Sequence, residues 1–168
     1  LVSSALTASV SGLLANDNGR VINRLTELAE DRMVIVDAPS LPSASTRRLA
    51  KAAAVAIVAT PTDAASYAAL SLADADLLLA DETVLAKTLV VANQFDQGAR
   101  LQRSVLALLS QAFGDRLAAT IERDEMIDEA LASRRAVLLH DQSSKAARSL
   151  VALAIHVDRL CSPNGEVR

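Results

Sequence analysis

Residues 33–40 read Met33-Val34-Ile35-Val36-Asp37-Ala38-Pro39-Ser40, and the fold class turns on how this run is taken. Four apolar residues in succession, closed by an aspartate and a proline, predict a strand buried on both faces, the type that parallel sheets use. Asp37 would then stand at the C-terminal end of that strand, the edge where open α/β sheets bind ligands. The alternative for Asp37 is a turn residue that caps the break before Pro39 and Pro42.

Working outward, the same grammar repeats. Before the run, Val21, Ile22, Leu25, Leu28 and Ala29 recur at helical spacing and predict a helix over 20–31. After it, Ser43 or Ser45 is placed to cap a short helix reaching residue 53. Residues 55–60 (VAIVAT) form a second apolar run, ended by Thr60-Pro61, and Asp63 caps an alanine-rich helix expected to reach about residue 80. Residues 87–92 (KTLVVA) predict a third strand, followed directly by Asn93-Gln94-Phe95-Asp96. Leu101, Val105, Leu108, Leu109 and Ala112 mark the next helix, which Gly114 ends. Residues 117–121 predict another strand, and Asp124 caps a helix to about residue 133. Residues 136–139 are expected as a further short strand. A last helix starts at Ser143 or Ser144, with Ala147, Leu150, Ala154, Val157 and Cys161 on its apolar stripe, so Cys161 is expected in the core. Residues 1–18 show no clean period, and residues 162–168 form a polar tail.

Strand and helix alternate along the chain without a repeat or an internal linker. That order predicts an α/β fold, a mostly parallel sheet with helices on both faces, in a single domain over residues 1–168. Composition agrees. The 168 residues are 51% hydrophobic and 22% charged, so the chain is globular. Aromatics make up only 2% and tryptophan is absent, which leaves Ala, Leu and Val to build the core. A net charge of −3 argues against a protein made mainly to grip nucleic acid. The single Cys161 excludes an internal disulfide and suits a reducing cytoplasm. No uncharged apolar run approaches the roughly 18 residues needed to span a bilayer. The opening 15 residues carry no Lys or Arg and make a poor secretory signal.

Every predicted strand ends in polar residues: Asp37, then Thr60 with Asp63, then Asn93 with Asp96, then Glu122-Arg123-Asp124-Glu125. In a parallel sheet these ends share one edge and would face a common crevice. Each residue taken alone reads as a helix cap or a turn residue; only jointly do they point to a ligand site. Other chemistries find little support. His140 and His156 lack partners at metal-ligand spacing, no Gly-x-Ser-x-Gly elbow occurs, and Arg47-Arg48 and Arg134-Arg135 read as solvated faces.

The segments VIVDAP (34–39), VAIVATPTDAAS (55–66), LVVANQFD (89–96), IERDEMIDEALASRRAV (121–137) and HDQSSKAARSLVALA (140–154) occur in this order. Together they resemble the later two-thirds of a ParA/MinD-type (SIMIBI, deviant Walker) ATPase, and within that group the cellulose-biosynthesis BcsQ (YhjQ) branch. The likeness runs over about residues 20–160. It implies a P-loop NTPase-like fold that binds ATP with Mg²⁺ and dimerises across the nucleotide. It further implies partners in a cellulose synthase and secretion complex, reached from the cytoplasm at the periphery of the inner membrane, without nucleic acid and without direct membrane insertion.

Residue by residue, the resemblance gives Asp37 the catalytic and metal-side role, holding Mg²⁺ through water. Asn93 would read the adenine edge, and Glu122, Arg123 and Asp124 would form the loop that closes over the base. The chain also departs from the family. The phosphate loop Gly-x-x-x-x-Gly-Lys-Ser/Thr is missing, with its backbone cradle and lysine, and no two of the five glycines are close. Ala54 stands where relatives often carry Asp. Since the first residue is Leu1, the expectation is a C-terminal portion of a longer ATPase, one that does not hydrolyse ATP on its own and serves Mg²⁺ at Asp37 only if a phosphate loop is supplied. The competing expectation is a non-catalytic α/β interaction module. A flavodoxin-like receiver would need an acidic pair early in the chain and a lysine in place of Asn93; neither is there.

Overall fold

A computed structural model describes residues 19–30, 32–38, 44–76 and 81–161. The chain divides into two compact units: residues 1–53 with 73–86, and residues 54–72 with 87–168.

In the first unit, α1 (Arg20–Ala29) and α2 (Ala44–Ala52) match the predicted helices, and α4 (Glu82–Leu85) packs with α2. Asp81 caps α4 by accepting the Thr83 N–H at 3.1 Å, and it takes the Lys51 ammonium of α2 at 2.7 Å. The Lys51 contact, then the Thr83 hydroxyl, hold the Asp81 carboxyl far below the usual carboxylate range. Val84 and Ala50 are buried here.

The run 33–38 is not a strand. It has no regular structure, and Met33, Ile35 and Val36 are exposed, Ile35 by 75%. The unit that contains it holds only helices among its described residues, so no neighbouring strand edge takes up its N–H and C=O groups. A run apolar on every side needs such an edge before its side chains can be covered.

The second unit carries the predicted α/β pattern. Its sheet has the order β1 (Ala56–Pro61), β2 (Thr88–Phe95), β3 (Leu117–Glu122), with both pairings parallel. Ala56 pairs with Thr88 and Pro61 with Asn93, while Phe95 pairs with Glu122 after a register shift. β2 is the central strand and is buried from Thr88 through Ala92.

Consecutive strand residues point to opposite faces, and Val91 and Ala92 show this directly. Val91 packs with Ile121 and with Ala146 of α8 (Lys145–Cys161), joined by Leu150 and Leu153. Ala92 packs with Val105 and Leu109 of α5 (Arg100–Phe113), joined by Tyr67 and Leu70 of α3 (Ala64–Asp76). Helices therefore cover both faces. Small residues meet the strands from α8: Ala146 and Ala147 are fully buried, which lets helix and sheet approach closely.

The local signals mark several boundaries well. Asp63 accepts the Ser66 N–H at 2.8 Å and opens α3. Gly114 ends α5 with its N–H on the Ser110 carbonyl and φ of 53°, a conformation that favours glycine. Asp124 opens α6 (Glu125–Ala132). Residues 77–80 of the predicted α3, together with 1–18, 39–43 and the tail 162–168, lie outside the described residues.

Two further expectations change. Residues 136–139 are no strand: α7 (Val137–His140) stands there, with the Leu139 and His140 N–H groups both donating to the Ala136 carbonyl. A short apolar run has no period long enough to separate strand from helix. Cys161 is exposed and does not join the core, because it lies at the C-terminal end of α8, past the last residue that touches the sheet cluster.

Candidate functional site

Because the three strands are parallel, their polar C-terminal ends lie along one edge. Thr60-Pro61 closes β1, Asn93 comes near the end of β2, and Glu122 closes β3. The register sets Pro61 opposite Asn93 and Phe95 opposite Glu122, and the Arg123 N–H extends the ladder by donating to the Phe95 carbonyl at 2.9 Å. The predicted residues Asn93, Glu122, Arg123 and Asp124 are therefore gathered at the ends of two neighbouring strands.

Asn93 is half-buried, and its Oδ1 accepts the Gln94 N–H at 3.0 Å. Gln94 adopts φ of 55°, unusual for a residue with a side chain, where the strand leaves its straight path. The Asn93 Oδ1 is thus engaged by the backbone of the next residue.

Glu122 accepts the Lys145 ammonium at 3.0 Å. Arg123 is exposed. Asp124 is held more firmly than either. Its Oδ1 accepts the Met126 N–H at 3.1 Å and caps α6, and its Oδ2 accepts the Ala146 N–H at 3.1 Å in the first turn of α8. One carboxylate thus satisfies free donors at two helix N-termini, where a negative charge is stabilised. The Ala146 N–H, followed by that of Met126, holds the Asp124 carboxyl below its ordinary value.

The two loops enclose an open groove of about 420 Å³, lined by Arg123, Asp124, Glu125 and Met126 on one side and Asp141, Ser143, Ser144 and Lys145 on the other. Ser144 caps α8 by accepting the Ala147 N–H at 3.1 Å. Asp141 accepts both the hydroxyl and the N–H of Ser143, and these bonds, the hydroxyl first, hold its carboxyl below the ordinary range. Side chains of both signs line the groove, and two of its carboxylates, Asp124 and Asp141, are anchored by backbone N–H groups.

Sequence reasoning missed Gln102 and Lys145. Gln102, in the first turn of α5, accepts the hydroxyl of buried Thr62 and the N–H of Asp96, both at 2.7 Å, and so ties the exits of β1 and β2 together. No local pattern flags a glutamine whose partner lies 40 residues away. Lys145 sits in the SSKAA segment, but its partner Glu122 is 23 residues distant.

Asp37 belongs to the first unit and is exposed. Among the described residues no group of three or more His, Cys, Asp or Glu is placed to hold a metal ion. The donor set here includes, at Asn93, an amide of the chemical type that can meet a base edge. It does not fit a phosphate and Mg²⁺ site, since neither a glycine-rich cradle nor a second ligand for Asp37 is found among the described residues. No helix of the described residues is long and apolar enough to cross a membrane.

No curated protein matches the chain. The family model described as cellulose biosynthesis protein BcsQ matches residues 3–157. That span includes the three strand ends, the groove and most of α8, and it accords with the ParA/MinD-type pattern of the sheet. The chain belongs to the BcsQ family of cellulose biosynthesis proteins.

Proposed function

We propose that this chain is the base-reading portion of a ParA/MinD-like adenine-nucleotide switch, one that assists the assembly, localisation or regulation of a bacterial cellulose synthesis and secretion complex. The observation that supports it most is the juxtaposition of Asn93 with the Glu122–Asp124 loop across the Phe95–Glu122 register. An amide with both donor and acceptor suits the adenine edge, and a neighbouring loop anchored by Asp124 suits a lid that must hold its shape. Asp37 serves Mg²⁺ in this reading only where a phosphate loop is supplied. Its partners are proteins of the cellulose synthase complex, met at the cytoplasmic side of the inner membrane.

A second reading rests on a specific observation. Glu122 is paired with Lys145 and both Asp124 oxygens are spent on backbone donors. A loop so engaged serves equally as a rigid surface of a non-catalytic interaction module.

Titration calorimetry with Mg-ATP separates the two, with Asn93→Ala and Asp37→Ala as controls. A ligand at about a thousand times its Kd stabilises the folded state by about 4 kcal/mol, so thermal unfolding gives a second readout. The switch reading expects heat and stabilisation that vanish in Asn93→Ala. A folded chain with neither, at saturating ATP, is the interaction module.

A further inference from the structure

The corner between α6 and α7 is tightly built and yet left uncovered. The chain leaves α6 through Ser133 and Arg134, and Arg134 takes φ of 52°. The Arg134 N–H donates to the Leu131 carbonyl at 3.0 Å and the Arg135 N–H to that of Ala130 at 2.9 Å, which closes the helix end. The turn of α7 follows, with Leu139 and His140 both donating to the Ala136 carbonyl. His140 Nε2 lies 3.3 Å from a Glu129 carboxylate oxygen and pins α7 to α6. These bonds confine residues 131–140 to one corner, whose shape is set before anything binds it.

Of those ten residues, all but Val137 and His140 are exposed. Leu131 and Leu139 are each 75% exposed, and Leu138 is 37% exposed. Arg134 and Arg135 stand between them in a stretch without a carboxylate, within a chain of net charge −3. Among the described residues neither arginine takes part in an ion pair. The backbone adds an independent sign. A φ of 52° favours glycine, so the fold keeps a long cationic side chain where its removal would relax the turn. Packing within the chain accounts for neither the leucines nor the arginines.

We propose that this corner docks an acidic amphipathic segment of a partner protein, its carboxylates on Arg134 and Arg135 and its apolar side chains on Leu131 and Leu139. Guanidinium groups take carboxylates through paired N–H···O bonds, and the leucines leave water on contact. Because the corner is already held by its own hydrogen bonds, little ordering is needed on this side. The flanks favour a narrow partner over a membrane. Glu125, Asp128 and Glu129 precede the corner and Asp141 follows it. A plane of anionic headgroups would meet those carboxylates too, whereas a single segment lies along the basic strip. The contact uses neither Asn93 nor a nucleotide, so it stands apart from the base-reading proposal.

The test is fluorescence anisotropy of the full chain with a labelled helical peptide that carries leucines on one face bordered by glutamates. Its counterpart with lysine for each glutamate is the control. The wild type should bind the glutamate peptide and not the lysine one, and Arg135→Glu or Leu139→Ser should weaken binding by about tenfold or more. Arg134→Gly separates docking from folding: it should unfold at no lower temperature than the wild type, yet bind more weakly. No binding of the glutamate peptide by the wild type overturns the proposal. So does equal binding of both peptides, or affinity that none of the three variants lowers. Binding of the wild type, but not Arg135→Glu, to phosphatidylglycerol vesicles in place of the peptide would assign the corner to a lipid surface and overturn it as well.

Discussion

The Asp124 carboxylate accepts the backbone N–H of Ala146 at 3.1 Å across 22 residues of chain, while its other oxygen caps α6 at Met126. This contact fixes where α8 begins relative to the end of β3. Replacing a capping aspartate by alanine costs about 1 kcal/mol per helix. With two helix ends served, Asp124→Ala should lower the urea midpoint by an amount equal to about 1–2 kcal/mol, and Asp124→Asn by less. An unchanged midpoint would remove Asp124 from the architecture of the groove.

The same residue gives a pH dependence of known sign. Its folded-state pKa lies below the unfolded value, so its contribution is fully present above the unfolded pKa of about 3.9 and is lost as pH falls through the folded value. Acid titration of unfolding should show wild type and Asp124→Asn converging in stability below about pH 4, and parting above it. Asp141, held low by the Ser143 hydroxyl and N–H, adds a component of the same sign.

Gln102 joins two strand exits through one oxygen, and one partner, Thr62, is almost fully buried. Gln102→Ala leaves that hydroxyl without its acceptor and should cost about 1–3 kcal/mol in chemical denaturation. Gln102→Glu keeps an acceptor oxygen in place and should retain most of the stability. Equal loss in both variants would show that the amide nitrogen matters more than the shared oxygen.

With tryptophan absent and aromatics scarce, the core depends on its aliphatic residues. Leu109 is fully buried against Ala92 and Val105. Leu109→Ala should destabilise by about 2–5 kcal/mol, from lost transfer energy plus the cavity left behind. A smaller loss would mean that Phe113 and Leu106, which pack on the same cluster, close the gap.

The Lys145–Glu122 pair should matter far less. Both partners are substantially solvent-exposed, Lys145 by 63%. Lys145→Ala is expected to change stability by less than about 1 kcal/mol, and by less still at high salt. If nucleotide binds, the same variant tests whether the ammonium contributes to affinity, since stability and binding are read separately.

The elements with a strong local signal were legible in the chain. Asp63, Asp124 and Gly114 mark helix ends through side-chain chemistry or backbone freedom that acts over three or four residues, and the structure uses each in that way. The parallel order of VAIVAT, KTLVVA and the 117–121 run followed from alternation with helices. The Asn93 and Glu122–Asp124 ends were legible as one edge for the same reason.

Other features were not open to sequence reasoning. Residues 33–37 have every local property of a buried strand, yet they are exposed and unpaired among the described residues, because a strand is completed by a neighbour's hydrogen-bonding edge. Residues 136–139 are apolar enough for either state, and a single turn of i→i+4 bonding made them helix. The sequence by itself determined the caps, the alternation and the small-residue core, since these depend on contacts within a few residues. Only the tertiary structure decided the bonds from Asp124 to Ala146, Gln102 to Thr62 and Lys145 to Glu122. Those partners lie 22 to 40 residues apart, and they meet because a parallel sheet brings its strand ends to one edge.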